Sequence, residues 1–273
     1  MTLNKKTRFN PPENWQADLL LTNPIFTDLW QHFGPFSAED WPSLTLLNQA
    51  FASEYRLVAN EALEQDGRYY EEFIFATKTI PCRAKNWHDF FGALIWCLFP
   101  KAKALLNQLH IAEITQHGLK QRSKLRNKLT LFDECGVIIC IDPSAHQHAE
   151  LLRSHQWQRS FVKQRQDWWQ SIKPVIFGHA IYEMATKPFI GLTAKAVFIE
   201  VPEGFSNWSL PQTYQFLDQT LWHKIAKQNL LLDKQQLTPL PLLGVPAWYD
   251  ANNQADFYLN SHYFRPKRLT KPS

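Results

Sequence analysis

Two stretches of the chain hold side chains able to move a proton or hold an anion. In the first, Arg83, Lys85, Asn86, His88 and Asp89 gather where RAKNWHDF runs into the apolar FGALIWCLF. A helix starting there would point free backbone N–H groups and the positive end of its dipole at a phosphate or carboxylate. Arg83 and Asn86 are then expected to hold the anion, and His88 to act as acid or base, because imidazole titrates near neutral pH. A plainer account makes Asn86 the N-cap and Asp89 the acid reaching back in a capping box. On that account Arg83 pairs with an acid and His88 is a satisfied polar residue at the core edge, but capping itself explains only Asn86 and Asp89. The second stretch is FGHAIYE, where His179 and Glu183 stand four apart on one face of a predicted helix. They would orient His88 or share a metal with it. The metal candidates are thus His88, His179 and Glu183, with His110, Asp89 and Asp133 as further donors. The competing account is a His–Glu hydrogen bond inside helix packing. The catalytic set read from these residues is His88, Asp89, His179 and Glu183.

Other constellations carry less. Asp133 and Glu134 form a carboxylate pair suited to acid/base work if one is held in a pocket, but DECG also reads as the tip of a hairpin. The pairs Trp168-Trp169 and Trp248-Tyr249 could stack on a ligand ring, although such aromatics more often build core. Lys120, Arg122, Lys124, Arg126 and Lys128 recur at every second position, which on a strand would set them on one face as a strip for phosphate or nucleic acid. A solvated face is the plainer reading. The sequence has no GxGxxG, GxxxxGK[ST], GxSxG or HExxH, so nucleotide loops, nucleophile elbows and zincin chemistry have no local support.

The elements that must position these residues are legible as patterns. The chain has 273 residues, 45% of them hydrophobic, with 11 Trp, 19 Phe and 8 Tyr, so it can bury a large core. Its net charge of +4 is set by its ends, Lys5, Lys6, Arg8 and Arg265, Lys267, Arg268, Lys271, in basic tails at about 1–10 and 264–273. Without them the body has a slight excess of acid. Cys82, Cys97, Cys135 and Cys140 lack CxxC spacing and read as free thiols. With no apolar leader after the start and no apolar run near the ~20 residues of a membrane span, a cytoplasmic protein without membrane partners is expected.

Helices are predicted around Thr27 to Phe33 and Leu44 to Phe51, and a strand over Tyr69 to Thr77. A helix from Trp87 to Phe99 is apolar nearly all round and belongs at the centre of the fold. Pro100 opens a second helix to about His110. Leu129 to Phe132 and Val137 to Ile141 are read as a strand hairpin. A broken helical region follows from Ser144 to Thr186, then a strand over Thr193 to Val201, a helix over Pro211 to Asn229, and a Pro-rich irregular tail. No linker or repeat divides the chain. The expectation is a single α+β domain over 1–273, rich in helix around one buried central helix, with a small, mostly antiparallel sheet of three or four strands.

NWHDFF, FPKAKALLNQLH, LTLFDECG, FGHAIYE, GLTA and LPLLGVPAW, in that order, resemble a bacterial family catalogued as domain of unknown function 3025. The resemblance covers roughly Tyr70 to Arg265. It implies no reaction, cofactor or catalytic residue. The family pattern prefers Thr where this chain has Cys82 and Asn where it has Gly92, so a site relying on that Asn would be altered here. From the residues, the leading expectation is an enzyme of hydrolase type acting on a small anionic substrate at the start of the central helix. The alternative is a non-catalytic module binding an anionic ligand or nucleic acid through the strip 120–128.

Overall fold

A computed structural model describes residues 9–34, 36–228, 230–231 and 237–267. Most of the basic tail residues, Lys5, Lys6, Arg8, Arg268 and Lys271, lie outside the described residues. The helices α1 (Asp18–Thr22), α2 (Thr27–Phe33) and α3 (Leu44–Gln49) come first, then β1 (Arg56–Ala59), α4 (Glu61–Asp66), α5 (Tyr70–Thr77) and β2 (Thr79–Cys82). Next are α6 (Trp87–Leu98), α7 (Pro100–His117), α8 (Lys124–Cys135), β3 (Gly136–Ile141), α9 (Gln147–Arg153) and β4 (Ile172–Ile176). The chain continues through α10 (His179–Ala185), β5 (Thr193–Glu200), α11 (Leu210–Gln228) and β6 (Thr238–Pro241). This is an α+β fold rich in helix.

The core forms around α6, as its composition requires. Asn86 Oδ1 accepts the N–H of Asp89 at 3.0 Å and starts the helix. Trp87, Phe90, Phe91, Ala93, Leu94, Ile95, Trp96 and Leu98 are all buried. Each large apolar side chain among them contributes about 2 kcal/mol of burial. Phe91 stacks between Phe26 and Tyr182, at ring-centroid distances of 5.5 Å to each, which ties α6 to α10 and to the segment before α2. Pro100 occupies the first turn of α7, where its missing N–H costs nothing.

The main sheet has the order β4-β3-β5-β6. β3 pairs antiparallel with β4 and parallel with β5, and β5 pairs antiparallel with β6. β1 and β2 form a separate parallel pair. The sheets are therefore small and mixed, and two of the three pairings in the four-stranded sheet are antiparallel. β3 is buried along its whole length and reads as a continuous apolar run, as expected for a central strand.

Several sequence expectations are corrected. Tyr69 to Thr77 is not a strand: Tyr70, Phe73, Ile74 and Thr77 follow helical spacing, and Glu72 accepts the Tyr69 N–H at 3.3 Å to cap α5. Leu129 to Phe132 is not half of a hairpin either. Ser123 Oγ accepts the Arg126 N–H at 3.0 Å, and the helix it starts runs to Cys135, burying Leu129 and Phe132. The helix opened by Pro100 runs beyond His110 to His117. The region 144–186 includes the strand β4 despite Pro174, and the tail includes β6 despite Pro239 and Pro241. Both are edge strands, where a missing N–H need not break a ladder.

Candidate active site

A polar cavity of about 320 Å³ lies beside the first turns of α6, walled by α5, β2, α6, α7, α8 and the start of α10. Helix capping turns His88 and Asp89 of α6 toward it. α10 packs against both α6 and α8. That approach depends on Gly178: a Cβ there would lie 2.4 Å from the Glu134 carbonyl oxygen, so only glycine lets α10 start against the end of α8. The Gly178 N–H also donates to the Gly136 carbonyl at 2.8 Å. Residues 91 positions apart in sequence are thereby joined.

His88 is the centre of the arrangement. Its Nδ1 lies 2.9 Å from Glu183 Oε2, and its Nε2 lies 2.9 Å from His179 Nε2. His179 Nδ1 faces Asp133 Oδ2 at 3.9 Å, and the other Asp133 oxygen accepts from Lys103 Nζ. The polarities fix the protons. An ionised Glu183 requires N–H at His88 Nδ1. If His88 were neutral, its Nε2 would need a donor from His179, leaving the His179 Nδ1 lone pair facing a carboxylate. An imidazolium at His88 avoids this: it donates to both neighbours, and His179 is neutral with its proton on Nδ1 toward Asp133. The electrostatics agree. Burial pulls His88 down, but the Glu183 hydrogen bond and charge outweigh it, and its pKa is raised. Burial pushes His179 down to about 3, against the attraction of Asp133. Asp133 is lowered because Lys103 and His179 overcome the effect of burial.

The opposite wall has its own titrating groups. Glu71 accepts from Asn107 Nδ2 at 2.6 Å, yet burial pushes its carboxyl up to about 7. Burial also raises Glu134 and lowers His110 to about 4. Asn107 Oδ1, His110 Nδ1 and His179 Nδ1 are buried with no hydrogen-bond partner among the described residues. Buried polar atoms in this state are uncommon, and here two of the side chains line the cavity.

Arg83 and Asn86, expected to hold an anion, have partners in the protein. The Arg83 guanidinium grips Asp89 through Nε and Nη2, both at 2.8 Å, and its backbone N–H gives Asp89 a third bond at 2.7 Å. Asp89 therefore does not reach back to its N-cap. The metal expectation finds Glu183 behind His88, on the ring nitrogen that faces away from His179. Among the described residues, no group of three or more His, Cys, Asp and Glu is placed to hold a metal ion. Asp133 and Glu134 sit in the last turn of α8, not at a hairpin tip, and both face the cavity. The basic strip is no strip: Lys120 and Arg122 precede α8, and Arg126 on it is buried. Helical steps of two residues turn successive side chains to different sides.

Sequence reasoning missed Lys103, Glu71 and Arg122 as cavity residues. A signal existed for the first: Lys103, Asn107 and His110 recur at helical spacing on a buried face of α7, where apolar residues would be the rule. Lys103 also lies 5.2 Å from the centre of the Trp96 ring.

The chain belongs to the family described as protein of unknown function (DUF3025), whose profile matches residues 55–268. No curated protein and no solved structure gives a match. Four of the stretches that carry the family resemblance, NWHDFF, FPKAKALLNQLH, LTLFDECG and FGHAIYE, supply His88 and Asp89, Lys103 and His110, Asp133 and Glu134, and His179 to one cavity. Gly92 lines it too, and a Cβ there would meet only His179 Cδ2, at 3.9 Å. No helix among the described residues is long and apolar enough to cross a membrane.

Proposed function

We propose that this chain is a cytoplasmic enzyme of hydrolase type that acts on a small anionic substrate in the cavity beside α6. The observation carrying this reading is the line Glu183–His88–His179, held at 2.9 Å on both sides of His88 and open to a polar cavity. Glu183 keeps His88 protonated and oriented, and His88 Nε2 donates its proton to the leaving oxygen when that oxygen takes the place of His179 as its acceptor. Until then His179, neutral and backed by the Asp133–Lys103 pair, accepts from His88 Nε2 and steadies its charge. Glu134, raised by burial and facing the same space, takes the proton of the attacking water. Arg122, which lines the cavity and bonds the neutral Thr130 hydroxyl rather than a carboxylate, supplies the positive charge for the substrate. Arg83 and Asp89 then brace the wall instead of binding the anion.

The unpaired buried Nδ1 of His110, on the cavity lining, supports a bound ligand, because a substrate's polar group would satisfy it. The test is a panel of p-nitrophenyl phosphate, sulfate and carboxylate esters, with inorganic phosphate titrated in parallel against the NMR signals of His88. Hydrolysis of one ester, lost in His88→Gln with the fold intact, is the expected result. The reading fails if no ester turns over and phosphate leaves the His88 signals unmoved.

A further inference from the structure

A second cavity, of about 280 Å³, shares no lining residue with the first. α10 contributes to both, giving His179 to one and Tyr182 to the other. Trp169 and Trp248 line the second cavity, with ring centroids 5.7 Å apart and planes at 60°, so they form two walls of a corner. Trp169 is fixed in place: its indole N–H donates to the Pro246 carbonyl at 2.9 Å. Two wall residues have backbone conformations that a Cβ makes costly, Trp169 at φ 73° and Ala247 at φ 68°. Backbone hydrogen bonds hold both turns, Trp169 N–H to the Ile172 carbonyl at 2.6 Å and Trp248 N–H to the Val245 carbonyl at 3.1 Å, and strain of this kind gathers at ligand sites.

Among these aromatic and apolar walls lie a carboxylate and an ammonium. Asp28 Oδ2 and Lys173 Nζ are 3.8 Å apart, too far for a hydrogen bond between them, and both side chains are largely buried. An acceptor thus stands beside a donor in a cavity whose other walls are mostly apolar, with Thr27 and Tyr182 the remaining hydroxyl-bearing side chains. The complement is a flat ring that carries a donor next to an acceptor on one edge. Mostly apolar walls with a few placed polar groups are the usual make-up of a small-molecule site.

We propose that this cavity binds an aromatic heterocycle of the adenine or aminopyridine type, its ring against Trp169 and Trp248 and its amino–imine edge bridging Asp28 and Lys173. The amino group donates to Asp28, and the ring nitrogen accepts from Lys173.

The test uses the whole chain with adenine as probe and indole, which has a donor but no neighbouring acceptor, as comparison. Adenine is expected to shift the indole N–H signals of Trp169 and Trp248 saturably, and indole to bind more weakly. Asp28→Asn should weaken adenine about tenfold, the scale of one lost charge-assisted bond. Thr27→Tyr, at an exposed position on the cavity wall, should abolish binding without changing the thermal midpoint. Absence of saturable binding, equal affinity for indole and adenine, or undiminished binding in the folded Thr27→Tyr variant would each overturn the proposal.

Discussion

Two histidines in this molecule are each tied to a carboxylate, and they do opposite things. His88 meets Glu183 at 2.9 Å at the edge of a cavity; His148 meets Asp167 at 2.8 Å and Ser160 Oγ at 3.1 Å in the core. The second set has the residue types of a hydrolytic triad. Yet Ser160 and His148 are both 0% exposed, so no substrate can reach the hydroxyl. The ring is also attached the other way round from the usual triad, with Nδ1 on the serine and Nε2 on the carboxylate. Burial lowers the pKa of His148 despite Asp167, whereas Glu183 raises that of His88 despite burial. A His–carboxylate bond is thus no evidence of chemistry by itself. What separates the two is the space beside the ring and the presence of groups left to pair.

The sharpest way to break this comparison is substitution of each histidine. His88→Gln should lower turnover of whichever ester is hydrolysed by about 100-fold or more, the typical worth of a proton-transfer group. His148→Gln, by contrast, should leave the rate per folded molecule unchanged. Steady-state kinetics on both variants decides; equal losses would erase the distinction. Stability should show the reverse order. His148→Ala empties a fully buried site and strands the Ser160 hydroxyl there, and should cost about 3 kcal/mol, while His88→Ala, about a third exposed at a cavity edge, should cost less than about 1 kcal/mol. Denaturant unfolding measures this, and a larger cost at His88 would mean that its network is chiefly structural.

The pH dependence sharpens the contrast further. NMR titration should place His88 above its ordinary 6.5 and His148 below it. For His88, a folded pKa raised above the unfolded one gives stability that is full below 6.5 and lost as the pH rises through the raised value. For His148 the sign is opposite: its contribution is present above 6.5 and lost as the pH falls through the lowered value. His179, at about 3, and His110, at about 4, follow His148. The stability advantage of wild type over His88→Gln should therefore grow as pH falls from about 8 to about 6. A constant difference across that range would show that Glu183 does not hold the proton on His88. The smallest effect is expected at Gly92→Asn, where the cavity has room for a side chain next to His179. Stability should change by less than about 0.5 kcal/mol, with helix propensity favouring the variant. A large loss would mean that the space beside His179 is closed.

Much of the fold was legible where local chemistry agreed with packing. The start of α6 at Asn86, the Pro100 turn, β5 and α11 were read from caps, proline and periodicity. The errors share one cause. YYEEFIFAT and KLRNKLTLFDEC have both aromatic or β-branched residues and helical spacing, so each sequence supports two structures. The choice falls to what they pack against: α5 and α8 both lie on α7. The strands β4 and β6 were hidden by prolines that only an edge position tolerates.

The sequence by itself determined that α6 would be a buried helix with polar residues at its start, because an all-round apolar surface can be satisfied only by neighbours. It also marked His88, His179 and Glu183. It could not decide that they meet. That rests on Gly178 bringing α10 within contact of α8, and on Asp133 and Glu134 ending a helix instead of tipping a hairpin. It could not choose Asp89 as the partner of Arg83 or reveal Lys103, since a buried ammonium is identified by the carboxylate facing it and not by its neighbours in the chain. Hydrogen bonds and charges act over a few ångströms in space, and only the tertiary structure sets which side chains lie within that reach.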